Sequence, residues 1–328
     1  MTSMWTNFLL VLVGLTLVTV GANYLTDGAA SIATRFRIPQ LVVGLTIVAF
    51  GTSAPELTVS LIAGTESAGG IAVGNVIGSN IFNILAVLGI AAMISPLPVD
   101  RNSRNYDIPI AIFAAIVLAV VLSDRVLDGS PDNNITRVEA IMLVLLGGLF
   151  ILYTLIMALR GRHETEGEVV EAPKRGVWVD IIMMIGGLVG LVYGGQLFVD
   201  NASEIAVSLG VSDTLIGLTL VAWGTSLPEL ATSIVAAVKK NVGIAVGNAI
   251  GSNLFNIFFV LGIAGTVSPM KDLQFTHLDL FMQLAAVLIA FGVARWVGNN
   301  RITRGEGLGM LLIFLAYNAF LIYSATGV

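Results

Sequence analysis

Long apolar runs alternate with short polar connections along the whole chain. Ten runs stand out, at 5–25, 41–63, 71–95, 107–123, 138–159, 177–199, 214–237, 244–268, 279–297 and 306–325. A bilayer core of ~30 Å needs ~20 helical residues, with ~17–25 as the usual range. The pattern therefore predicts an all-α membrane protein with ten transmembrane helices.

Composition supports this prediction. Of the 328 residues, 56% are apolar and only 11% are charged, whereas soluble domains carry about 25% charged residues. The chain has no cysteine, which excludes disulfides and thiolate metal sites. Its net charge of −5 gives no reason to expect nucleic acid, and no obligate protein partner is evident.

The basic residues predict how the chain is oriented. Of the 16 Lys and Arg residues, 13 fall in the connections after the first, third, fifth, seventh and ninth runs. Only Arg125, Arg137 and Lys271 fall on the other side. Because cytoplasmic loops are rich in Lys and Arg, we expect a multi-pass protein of the plasma (inner) membrane with both termini outside.

The sequence repeats itself after 173 residues without a gap. GLTIVAFGTSAPEL at 44–57 matches GLTLVAWGTSLPEL at 217–230, and GIAVGNVIGSNIFNI at 70–84 matches GIAVGNAIGSNLFNI at 243–257. Between Gly44 and Pro96, 33 of 53 positions are identical to their partners. Two long matches in one register indicate an internal duplication.

The spacing of the repeat predicts its geometry. Five predicted helices separate equivalent positions, and because five is odd the halves enter the membrane from opposite sides. We therefore expect two inverted five-helix repeats, at 1–160 and 177–328, joined by a cytoplasmic linker at 161–176. Inverted repeats place substrate sites near the midplane, between the halves.

Two glutamates lie inside predicted helices. A charged residue at the bilayer centre costs at least ~2.5–3.5 kcal/mol on insertion scales, so Glu56 and Glu229 are candidate functional residues. No Lys or Arg falls in the interior of a predicted helix. The partner of these carboxylates is therefore expected from outside the protein, either as a proton or as a metal cation.

A proline precedes each glutamate. Pro55 and Pro228 lack an amide hydrogen, so each frees a backbone carbonyl about four residues earlier, near Gly51 and Gly224. Broken helices at membrane depth are tolerated where they line a cavity. A simple proline kink would explain the prolines but not the glutamates that follow them.

Further oxygens are expected near the glutamates. Three or four residues before them, on the same helix face, are Thr52, Ser53, Thr225 and Ser226. The third and eighth helices add Ser79, Asn83, Ser252 and Asn256. Calcium takes 6–8 oxygen ligands, and both histidines, His163 and His277, fall in loops. A hard-cation site is therefore predicted, although helix packing explains the Ser and Thr residues equally well.

The paired GTS-x-PE and GSN-x-FN motifs resemble those of the cation/calcium exchanger superfamily, and most of all its prokaryotic sodium/calcium antiporter branch. The resemblance implies exchange of calcium for sodium by alternating access, with Glu56 and Glu229 binding calcium and sharing the site with sodium. It also implies flanking sodium positions at Thr52, Ser53, Thr225, Ser226, Ser79 and Ser252, with the carbonyls of Ala49 and Ala222. Asn83 and Asn256 match the family's polar positions in the third and eighth helices.

Those two asparagines depart from the pattern of some relatives, in which one of the two positions is often Asp. The site then has two carboxylates rather than three, which leaves the stoichiometry and the coupling ion open. One alternative is a proton-coupled antiporter on the same scaffold, although such relatives generally carry a glutamate after a GNA sequence, and that glutamate is absent here. A cation channel is a second alternative. Neither an enzyme nor a cofactor is expected, and calcium and sodium are the expected transported ions.

Overall fold

A computed structural model describes residues 4–66, 68–99, 103–164, 175–210, 222–271, 273, 275–297 and 300–326. The helices in chain order are α1 Met4–Phe36, α2 Gln40–Thr52, α3 Ala54–Thr65, α4 Gly69–Ile94, α5 Arg104–Val121, α6 Arg137–Glu164, α7 Val177–Ser208, α8 Leu227–Val238, α9 Val242–Val267, α10 His277–Val297 and α11 Arg304–Thr326. Asp124–Leu127 and Ala222–Gly224 form single helical turns. Two short strands, β1 Leu97–Pro98 and β2 Arg301–Ile302, pair antiparallel.

The helices confirm the prediction of an all-helical membrane protein. Eight of them are individually long and apolar enough to span a bilayer, and α2 and α3 form a ninth span that bends by 45°. Of the predicted seventh run, the described residues form Ala222–Gly224 and α8, while 211–221 lie outside the described part of the chain.

Two faces of the bundle are distinguished below. The linker face is the one where α6 ends at Glu164 and α7 begins at Val177. The terminal face is the one where α1 begins at Met4 and α11 ends at Thr326. The histidines lie at helix ends and not in loops, because α6 and α10 extend beyond the apolar runs from which they were predicted.

The longest helices, α1 and α7, exceed their predicted lengths. They have 33 and 32 residues, or roughly 50 Å at 1.5 Å per residue, against a bilayer core of ~30 Å. They cross antiparallel through glycines: a Cβ on Gly14 would lie 2.8 Å from Gly194 O, and one on Gly21 would lie 2.6 Å from Gly187 O. Since a shift of 173 turns Gly14 into Gly187 and Gly21 into Gly194, these contacts follow a pseudo-two-fold axis between the halves.

A second close crossing brings α2 against α9. A Cβ on Gly44 would lie 2.8 Å from Ile244 O, and one on Gly251 would lie 2.7 Å from Leu45 O. Each of the helices α2, α4 and α9 contains a π-helical segment, at Gly44–Val48, Phe82–Val87 and Asn256–Val260 respectively. Such wide turns are rare and frequently occur at functional sites.

Candidate cation site

The two glutamates lie at the start of short helices, one in each half. Pro55 and Pro228 stand in the first turns of α3 and α8, where a missing amide hydrogen costs nothing. Glu56 and Glu229 follow them and are completely buried. The positive end of a helix dipole favours a carboxylate in the first turn. The proline breaks therefore place two favourable anion positions in the interior of the bundle.

Each glutamate accepts hydrogen bonds from both halves of the chain. Within its own half, Ser79 Oγ donates to Glu56 Oε1 at 3.3 Å and Ser252 Oγ donates to Glu229 Oε1 at 3.3 Å. Across the halves, Ser226 Oγ donates to Glu56 Oε1 at 3.0 Å and Ser53 Oγ donates to Glu229 Oε1 at 3.2 Å. These crossed bonds join the two repeats at the carboxylates.

A second pair of crossed bonds surrounds the first. Thr52 Oγ1 donates to Asn248 Oδ1 at 3.0 Å, and Asn248 Nδ2 donates to Glu229 O at 3.1 Å. The equivalent bonds run from Thr225 Oγ1 to Asn75 Oδ1 at 3.4 Å and from Asn75 Nδ2 to Glu56 O at 3.3 Å. The asparagines thus hold the backbone of each glutamate.

Among the candidate ligands, four buried side-chain oxygens have no hydrogen-bond partner among the described atoms. They are Glu56 Oε2, Glu229 Oε2, Asn83 Oδ1 and Asn256 Oδ1. Their residues are completely buried, so water at the protein surface does not reach them. A buried polar atom without a partner is costly, which makes these oxygens the best candidates for contact with an ion.

The electrostatics of the site point to cations. Within the described part of the chain, neither glutamate forms an ion pair with Lys, Arg or His, and no group of three acidic, histidine or cysteine residues forms a metal cluster. The local donors are hydroxyl and amide groups, which are neutral. Two carboxylates that no protein cation balances are suited to neutralise one divalent or two monovalent cations.

Several predicted ligands have partners that differ from those expected from their spacing along one helix. Ser53 and Ser226 were expected beside the glutamate of their own helix, but each bonds the glutamate of the other half because the helix breaks at the serine. The Ala49 carbonyl is not free, since it accepts the amide of Ser53 at 3.0 Å. Ala222 lies in the turn Ala222–Gly224, and the amide of Ser226 donates to Trp223 O at 3.2 Å.

The other predicted residues differ in burial. Thr52, Ser79, Ser252, Asn83 and Asn256 are all essentially inaccessible to solvent, whereas Thr225 is half-buried. Asn83 and Asn256 both stand in π-helical segments, and Asn256 Nδ2 donates to Asn80 Oδ1 at 3.2 Å.

Sequence reasoning did not include Asn75 and Asn248 among the site residues, nor their acceptors Ser60 and Ser233. Asn248 Nδ2 reaches Ser233 Oγ at 3.0 Å, and Asn75 Nδ2 reaches Ser60 Oγ at 3.3 Å. The available signal was their identity in both repeats, because each is a polar residue kept inside an otherwise apolar helix.

Comparison with known proteins agrees with this geometry. The family model described as "Sodium/calcium exchanger protein" matches residues 6–158 and again 179–323, once in each half. The chain belongs to the sodium/calcium exchanger family. It is 37% identical over 324 residues to the putative antiporter CaxA of Alkalimonas amylolytica, covering 96% of this chain and 98% of that protein. It is 32% identical to the sodium/calcium exchanger MaX1 of Methanosarcina acetivorans, covering 97% and 99%.

Solved structures of the family show the same fold. The sodium-calcium exchanger NCX_Mj soaked with Na⁺ and Sr²⁺ superposes with a TM-score of 0.82 at 33% identity, covering 97% of this chain and 99% of that one. Its fold has ten transmembrane helices in inverted repeats, which confirms the predicted architecture. The chain is a multi-pass membrane antiporter of the cation/calcium exchanger type and not an enzyme.

Proposed function

We propose that this protein exchanges calcium for sodium by alternating access, with the ions bound between the halves at Glu56 and Glu229. The observation that carries the proposal is the pair of fully buried carboxylates, each with one oxygen that has no partner in the described structure. The amide oxygens of Asn83 and Asn256 complete a set of four such oxygens. Carboxylate and amide oxygens are the ligands that calcium prefers.

Neutral oxygens around the carboxylates support sodium as the second ion. The hydroxyls of Thr52, Ser53, Ser79, Ser226 and Ser252 are buried and need only rotate to present a lone pair. Relatives support the same pair of ions: MaX1 is named a sodium/calcium exchanger, and NCX_Mj was soaked with sodium and with calcium or strontium.

The orientation is also a proposal. We place the linker face in the cytoplasm and both termini outside the plasma (inner) membrane, because 13 of the 16 basic residues fall in the sequence connections assigned to that side. A relative 33% identical over 92% of this chain is named an inner membrane protein, YrbG of Escherichia coli. The repeat boundaries at 160 and 177 likewise stay a prediction.

A second candidate is proton coupling on the same scaffold. A relative named a Ca²⁺/H⁺ antiporter, ChaA of Bacillus subtilis, is 28% identical over 85% of this chain. Glutamates inside a membrane also serve in proton relays. The two candidates share Glu56 and Glu229, so the coupling ion has to be measured.

The test is calcium flux into vesicles reconstituted with the purified protein, with sodium and proton gradients imposed separately. We expect an outward sodium gradient at clamped pH to drive calcium uptake above its equilibrium level. Uptake driven by a pH gradient without sodium would establish the proton-coupled candidate instead. Calcium movement that dissipates its own gradient with no counter-ion would indicate a channel.

A further inference from the structure

Among the described residues, two ion pairs join the halves at the linker face: Arg35 with Asp180 between α1 and α7, and Lys239 with Asp27 between α1 and the end of α8. Lys239 Nζ, at the end of α8, lies 2.7 Å from Asp27 Oδ1 on α1. The same Nζ donates to Asn23 O at 3.5 Å. Both side chains are partly shielded, with 28% of Lys239 and 38% of Asp27 exposed. The Lys239–Asp27 pair therefore connects α1 of the first repeat to α8 of the second repeat, on the linker-face side of the cation site.

The inverted repeat supplies a built-in comparison. A shift of 173 residues turns Asp27 into Asp200 on α7, and turns Glu66 at the end of α3 into Lys239. The position that holds an ion pair at the linker face therefore holds two acidic residues at the terminal face. Asp200 and Glu66 are both exposed, and neither side chain has a hydrogen bond or ion pair in the described structure.

The residues next to the ion pair are also more deeply buried than the residues next to Asp200 and Glu66. Under the ion pair, Thr26 and Thr232 are completely buried. Their equivalents at the terminal face, Val199 and Val59, line a cavity of about 200 Å³. The cavity extends to Pro228 and also contacts Ala54, Pro55, Thr58, Gln196, Asp200 and Thr225. At these equivalent positions, the linker face is therefore packed closed, whereas the terminal face contains a cavity.

We propose that the Lys239–Asp27 ion pair is a one-sided latch which holds the linker face closed, and that Asp200 and Glu66 oppose closure of the terminal face. The inference rests on the proposed alternating access. In inverted-repeat transporters, alternating access is largely a movement of one repeat or bundle against the other around the fixed site. Opening the linker face breaks the ion pair, and closing the terminal face brings two like charges together. Both effects favour the state that is open at the terminal face.

Labelling of single cysteines tests the latch without measuring transport, because the natural chain has no cysteine. Thr232→Cys reports access from the linker face, and Val59→Cys reports access at the equivalent terminal position. The rate of reaction with a hydrophilic maleimide is measured on the purified full chain. Because the measurement uses neither sodium nor calcium gradients, a wrong coupling ion would not affect it.

Loss of the ion pair should increase access from the linker face. Partly exposed ion pairs shift equilibria by up to about fivefold, so Lys239→Gln should raise the labelling rate of Thr232→Cys by roughly three- to fivefold. The matched control is Lys240→Gln, which removes the same charge from an exposed neighbour and should leave the rate unchanged. The exchanged pair Asp27→Lys with Lys239→Asp should restore the slow rate.

The terminal face offers the converse test. Glu66→Lys would place a cation opposite Asp200 and should slow the labelling of Val59→Cys by a similar factor. Glu66 is exposed, so this variant should fold even if Lys239→Gln does not. The proposal is overturned if Lys239→Gln leaves Thr232→Cys unchanged, if Lys240→Gln has an equal effect, or if Glu66→Lys leaves Val59→Cys unchanged.

Discussion

Each carboxylate of the site uses one oxygen for the protein and leaves the other without a partner among the described residues. Glu56 Oε1 accepts bonds from Ser79 and Ser226, and Glu229 Oε1 accepts bonds from Ser53 and Ser252. The hydroxyl groups fix the direction of each carboxylate without neutralising its charge. A cation placed between the unpartnered oxygens would supply the missing charge, which explains why the loss of either glutamate should be severe.

Replacement of either glutamate by glutamine is the first prediction. Glu56→Gln or Glu229→Gln keeps the shape of the side chain but removes one of the two negative charges. The Coulomb attraction between two opposite unit charges 4 Å apart is ~4 kcal/mol at an effective dielectric constant of 20. Calcium exchange should fall by more than about tenfold. Asp128→Asn, at an exposed loop position, is the charge-matched control and should exchange normally. Normal flux in either glutamine variant would remove that residue from the site.

Truncation of an asparagine should be milder. Asn83 contributes a neutral amide whose two polar atoms have no described partner, so a water molecule has room to replace them in Asn83→Ala. We expect weaker calcium dependence of exchange with the maximal rate largely kept. Calcium titration of vesicle uptake measures both quantities. A loss as large as that of Glu56→Gln would show that this amide is as important as a carboxylate.

At the scale of elements, the sequence predicted the helices and the glutamate pair but not their crossed bonds. Spacing relates residues on one continuous helix, and the breaks at Ser53 and Ser226 end that continuity. The sequence pattern also did not predict the additional turns at the end of α1. These turns are more polar and lie beyond the apolar run from which the helix was predicted. The ion pair of Asp27 and Lys239 depends on those turns and on a contact between the repeats.

The crossing of α1 and α7 should tolerate no added side chain. A Cβ on Gly21 would lie 2.6 Å from Gly187 O and 2.8 Å from Leu191 N, so Gly21→Ala forces the helices apart. Overpacking of this kind typically costs ~1–3 kcal/mol. Heating followed by size-exclusion chromatography should show a lower melting temperature for Gly21→Ala than for the wild-type protein. Gly186→Ala on α7, where a Cβ meets nothing within 4 Å, is the control. Equal stability of the two variants would contradict the close crossing.

For the whole molecule, orientation follows from the distribution of basic residues. A cysteine in place of Arg295, at the linker face, should react with an impermeant reagent only from the cytoplasm. A cysteine in place of Asp128, at the terminal face, should react only from outside. Both positions are exposed. The reverse pattern at both positions would invert the proposed topology.

The stoichiometry determines whether exchange responds to voltage. Two ionised glutamates balance one calcium or two sodium ions, and a third sodium requires the neutral oxygens around them. On the family resemblance we expect three sodium ions per calcium, which moves one net charge. A membrane potential would then bias exchange by ~2.3 kcal/mol per 100 mV. If calcium uptake does not change when a potassium gradient imposes a membrane potential, the three-to-one ratio is rejected.

The central claim is that calcium and sodium cross through one site in opposite directions. Its most direct test measures both fluxes in the same vesicles, with labelled calcium outside, labelled sodium inside and pH clamped. We predict that each calcium taken up releases a fixed number of sodium ions, about three by the family resemblance, and that Glu56→Gln abolishes both fluxes together. Calcium uptake without sodium release in the wild-type protein would contradict the proposed exchange.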